Sequence, residues 1–82
     1  MRLSVNQDDA GYRPYRSLPR AVRPVVRLDG LIVKQVITAD TRRGFVLVCA
    51  HDVEGRMVLN ARRDAVVRRR LYGRVDIDLV RH

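Results

Sequence analysis

The chain has 82 residues, with 17 Lys+Arg against 9 Asp+Glu, a formal net charge of +8 and a pI near 11.2. That length admits one small domain and excludes a large enzyme. At 46% hydrophobic and 32% charged a core can form, but so short a chain hides only about 60% of its unfolded surface, so self-association is an expected route to stability.

In chain order, the first segment is set apart by its prolines. Pro14, Pro19 and Pro24 all fall in residues 1–24 and alternate with Arg13, Arg16, Arg20 and Arg23. Proline removes a backbone donor and biases the residue before it to extended geometry, which disfavours both helix and central strand. Residues 1–24 therefore read as a flexible basic arm, net +3 from five Arg and two Asp. No apolar h-region opens the chain and no apolar stretch reaches membrane-spanning length, so the expectation is no membrane and a bacterial-type cytoplasm.

From residue 25 to 82 the pattern is that of a small β domain. Val25-Val26-Arg27-Leu28 and the run Leu31 to Thr38 flank Asp29-Gly30, the strongest short hairpin signal, because the tight turn matching strand twist needs positive φ at both central residues. Strands are expected at 25–28 and 31–38. A polar turn over 39–44 leads to the strand 45–50, Phe45-Val46-Leu47-Val48-Cys49-Ala50, apolar on both faces and so in need of cover on both. A Gly-terminated turn over 51–55 precedes a short fourth strand at 56–60.

The last third satisfies two patterns. Asn60 as cap and Gly73 as stop would frame a helix over 61–72, and Arg favours helix. Against it, Val67, Leu71, Gly73, Val75, Ile77 and Leu79 hold one parity while Arg68, Arg70, Tyr72, Arg74, Asp76 and Asp78 hold the other. Period two over that length favours an amphipathic strand bent or bulged at Gly73. The fold expected is mainly β: a small antiparallel meander forming a sandwich or half-open barrel behind the arm. A partner copy, as in a homodimer, is expected to supply the second layer.

Catalytic chemistry finds little support. Cys49 and His51 could share a strand face, but a Cys inside an apolar run acts as a small hydrophobe, and no third orienting group is evident. One cysteine excludes an internal disulfide, and His51, Asp52 and His82 repeat no ligand spacing, so neither a metal nor a cofactor is expected. Each acid in the β domain before Asp76 sits at a turn, where bonding to backbone N–H groups is its ordinary role. The chain reads as a non-enzyme.

The concentrated feature is arginine: 16 of the 17 basic residues are Arg, Lys34 being the exception. Arg68, Arg70, Tyr72 and Arg74 would form a basic stripe with an aromatic inside it, suited to phosphate contact and base stacking, with Arg13, Arg16, Arg20 and Arg23 of the arm as a second candidate surface. The bland alternative is a solvated face paired with nearby acids such as Asp76 and Asp78. No recognition helix or RNA-binding aromatic pair appears, so any nucleic-acid binding would be non-specific.

Leu28-Asp29-Gly30, Val33, Val36, Ala39-Asp40-Thr41, Gly44, Val46 and Tyr72-Gly73-Arg74-Val75 together resemble a pattern of small proteins encoded in tailed-phage and prophage genomes. The resemblance covers residues 26–79. It departs from that pattern where an arginine cluster replaces an acidic connection before Tyr72-Gly73. It implies a phage or prophage setting and supplies no activity or site residues. The function expected of the chain is that of an interaction or assembly accessory protein acting by surface binding, with non-specific nucleic-acid binding as the alternative.

Overall fold

A computed structural model describes residues 1–50, 56, 59 and 67–81. The described chain is mainly β: β1 (Arg2–Ser4), a single helical turn α1 (Tyr12–Arg16), β2 (Val22–Leu28), β3 (Leu31–Val33), β4 (Val36–Asp40), β5 (Phe45–Cys49), β6 (Arg68–Tyr72) and β7 (Val75–Arg81). They form two antiparallel sheets, β1-β4-β5-β6 and β3-β2-β7, which do not close into a barrel.

The β2–β3 hairpin forms where its turn chemistry requires. Asp29 and Gly30 both take positive φ, 51° and 86°, and Leu28 pairs with Leu31 across the turn. The apolar run 31–38, expected as one strand, is broken at Lys34-Gln35. There Gln35 takes φ 60°, and the chain swings from one sheet into the other as β4, whose register with β5 slips between Val36 and Thr38. A second corner lies at Gly73-Arg74, where β6 in one sheet gives way to β7 in the other. The alternating pattern of 67–79 is thus strand on both sides of Gly73. The helix alternative fails over Arg68–Tyr72, while residues 61–66 and most of the strand expected at 56–60 lie outside the described residues.

The core is the space between the sheets. Val26 and Val75 from one, with Ala39, Val46 and Val48 from the other, are buried against one another, and Leu28, Val33, Val36, Leu71 and Ile77 pack around them. The sandwich is therefore made by one chain; the layer that strand 45–50 was expected to take from a partner copy is β2, β3 and β7. On the opposite face of β5, Phe45 is only 4% exposed, with the Arg2 and Arg70 guanidinium groups over its ring and Tyr72 tilted beside it.

The flexible arm expected over residues 1–24 is not what forms there. Met1 and Thr41 exchange hydrogen bonds, and β1 pairs with β4 from Arg2↔Asp40 to Ser4↔Thr38. α1 follows through turns over residues 5–11, and Pro24 lies within β2 opposite Leu79. Proline is accommodated because β3 pairs only with residues 26–28. In the hairpin's register Pro24 faces β3's side of β2, where no strand lies alongside, so its missing N–H deletes no ladder bond.

Candidate functional site

Three groupings of side chains bear on function. The first holds the chain start in place. Arg2 makes a two-pronged pair with Asp9, Nε to Oδ1 at 2.8 Å and Nη2 to Oδ2 at 2.7 Å, and donates to Asp40 Oδ2 at 3.0 Å. Asp40, 5% exposed, also accepts the Arg42 and Arg43 backbone N–H groups, each at 2.9 Å. Those backbone donors, Arg43 foremost, and Arg2 hold the Asp40 carboxyl below its ordinary range against the opposing effect of burial. Asp9 is brought down to about 2, first by the Arg2 hydrogen bonds, with the Gly11 N–H assisting. Below them Ser4 and Thr38 share a buried hydroxyl bond of 2.8 Å. Every polar group here is answered from within the chain, which is how a structural network looks.

The second grouping is the basic strand. β6 pairs with β5 from Arg68↔Cys49 to Tyr72↔Phe45, which places Arg68, Arg70 and Tyr72 on one face, and all three are exposed, Tyr72 at 69%. The Arg70 guanidinium lies 4.4 Å from the Phe45 ring centroid, a distance at which the cation is held by the ring face. Among the described residues no acid pairs with Arg68, Arg69 or Arg70. Arg74 does not continue the stripe. It lies beyond the Gly73 corner, with its Nε 3.5 Å from Asp76, while Asp78 pairs with Arg27. Arg13 and Arg16 are exposed on α1, and Arg20 and Arg23 are exposed before and at the start of β2, separated in sequence and element from β6.

The third grouping was not foreseen from the sequence. Where the chain turns at Lys34-Gln35, β2 runs four residues past the end of β3, and the sheets part to leave a groove of about 550 Å³. Val25, Val33, Val36 and Ile37 line it, Tyr15 of α1 contributes a wall, and Arg23 and Lys34 are its only charged lining residues among those described. Beside it β3 displays Leu31 and Ile32, 74% and 59% exposed. Only the strand lengths, three residues against seven, produce this opening, and no local motif signals it.

Cys49 is a half-buried free thiol; His51, Asp52 and His82 lie outside the described residues, as does the arginine pair Arg62 and Arg63. Among the described residues no group of His, Cys, Asp or Glu could hold a metal ion, and no helix is long and apolar enough to cross a membrane. Set beside known proteins, the chain matches no family model, no curated protein and no solved structure.

Proposed function

We propose that this chain is a binding module, an interaction or assembly accessory protein of phage type that works by surface complementarity in the cytoplasm of a bacterial host and carries out no catalysis. The observation that carries this reading is the largely apolar groove at the Lys34-Gln35 corner, with Ile32 of β3, 59% exposed, among its lining residues. Contiguous exposed apolar surface rimmed by charge marks interaction sites more often than scattered apolar residues do. Whether the partner is a second copy or a different protein is measured first. Sedimentation velocity at micromolar concentration gives a dimer that Ile32→Asp dissociates if this edge joins two copies; a monomer directs attention to a different protein as partner.

A second reading, non-specific nucleic-acid binding, is favoured by one observation: the exposed face of Arg68, Arg70 and Tyr72 on β6, which carries no paired acid among the described residues. Phosphate contacts release counterions, so such binding weakens steeply as salt rises, whereas an apolar protein contact does not. Retention of single- or double-stranded oligonucleotides at low salt, lost as salt rises, supports this reading; no retention at low salt removes it.

A further inference from the structure

Two side chains supply all the charge on the described lining of the groove, and both are cations. Arg23 stands near the start of β2 and Lys34 at the corner, both exposed and neither paired with an acid among the described residues. The rest of the walls is mostly apolar, with Gln35 and Ser4 the uncharged polar members, and Tyr15 offers a ring with a polar tip. Cations of one sign beside a low-dielectric wall focus positive potential into the cleft. The groove's volume of about 550 Å³ is ample for apolar side chains of a ligand.

The backbone beside the groove adds a second feature. In a hairpin closed by a two-residue turn, Leu31 and Val33 direct their N–H and C=O groups to β2, so those of Ile32 point away from it. An extended segment laid along β3 would meet free main-chain groups there and the apolar groove next to them. A second copy is a poor occupant, because it carries the same net charge of +8 and brings its own Arg23 and Lys34 to the contact. A nucleic acid is no better served, since the walls are mostly apolar and the cations are two.

We infer that this groove docks an extended peptide segment of a partner protein whose apolar residues enter the groove and whose adjacent carboxylate meets Arg23 and Lys34. The inference rests on the binding-module reading and supplies the chemistry of the partner. A random peptide library displayed on cells and selected on the full chain tests it, followed by fluorescence anisotropy of a selected, labelled peptide. The expected peptides combine alternating apolar residues with Asp or Glu. Replacing those acids by Asn or Gln weakens binding by about tenfold or more. The double variant Arg23→Glu/Lys34→Glu, both positions being exposed, melts like the parent, loses the acidic peptide and gains one whose acids are replaced by Lys. Selected peptides without acids, binding indifferent to the charge reversal, or failure to select any peptide overturns the groove assignment. Peptides that bind indifferently to reversal but are lost with Ile32→Asp overturn the groove alone and leave the binding module standing; a chain that selects no peptide and stays monomeric removes both.

Discussion

The two ends of the sandwich are built on opposite rules. At one, where β2, β4 and β6 finish, polar groups are tied to one another: Asp40 is buried with three donors around it, Gly73 N–H bonds Gly44 C=O, and at the surface Asp29 N–H donates to Arg74 C=O while Arg74 N–H donates to the Asp29 carboxylate. At the other, where β2 and β4 begin, apolar side chains go outward, with Ile32 in solvent beside the groove and the same-sign charges Arg23 and Lys34 at its rim. Buried polar groups are tolerable only when every one is paired, and exposed apolar groups only when something covers them or their area is small. One end therefore holds the fold, and the other leaves apolar surface open.

The sharpest way to break that contrast is at Asp40. Asp40→Ala leaves the Arg2 guanidinium with Asp9 alone and two backbone N–H groups without an acceptor, and costs about 3 kcal/mol, since removing one partner of a buried pair strands the other. Urea denaturation reads this; loss of less than about 1 kcal/mol would make the network ornamental. Acid performs the same operation by titration. Asp9 and Asp40 both have folded values below the unfolded one, so their stabilisation is complete above the ordinary carboxylate range and is lost as pH falls through the folded values, which for Asp9 means about 2. Arg2→Gln should flatten that part of the stability curve, and a curve unchanged by the substitution would assign the acid sensitivity to other carboxylates.

Gly73 sharpens the contrast from the second corner. A Cβ there would sit 2.7 Å from Asp29 Oδ2, and the carboxylate cannot move without releasing the Arg74 N–H. Gly73→Ala is expected to cost about 1–2 kcal/mol by thermal melt. Most of that cost should vanish in an Asp29→Gly background, glycine being suited to the positive φ of residue 29. Equal cost in both backgrounds would place the constraint elsewhere. Smallest of all is the effect on β6: Arg68→Gln/Arg70→Gln/Arg74→Gln should shift stability by no more than about 1 kcal/mol, as exposed charges usually do. A larger loss would show that the stacking of Arg70 on Phe45 holds the sheet together.

The parts that a reader of residues could find are those set by neighbours in sequence. Asp29-Gly30 announces its own turn, and the alternation from Val67 to Leu79 announces strand on either side of Gly73. What escaped depends on distant partners. Arg2 looks like one more charge in a proline-containing arm until Asp9 and Asp40 close on it, and Pro24 looks like a strand breaker until β3 proves too short to need its N–H. The Lys34-Gln35 corner is hidden because Leu31 to Thr38 contains no Gly, Pro, Asn or Asp to mark a turn, and glutamine gives no warning of a positive φ. The basic strand was legible as a face, but Arg74 was assigned to it by parity alone; the corner at Gly73 turns it toward Asp76.

The bonds between Asp29 and Arg74 also order events in time. They join residues 45 apart in the chain, whereas the hairpin that presents Asp29 spans neighbours. A hairpin closes in about 1–10 μs, but contacts across a long loop wait until most of the chain has been gathered, because closure entropy is met before the contact rewards it. The Asp29 carboxylate thus stands ready early and is engaged late. Once it is engaged, the amides of Asp29, Gly73 and Arg74 should exchange with deuterium only through global unfolding, while those at Lys34 and Gln35 exchange through local opening and leave the folded body undisturbed.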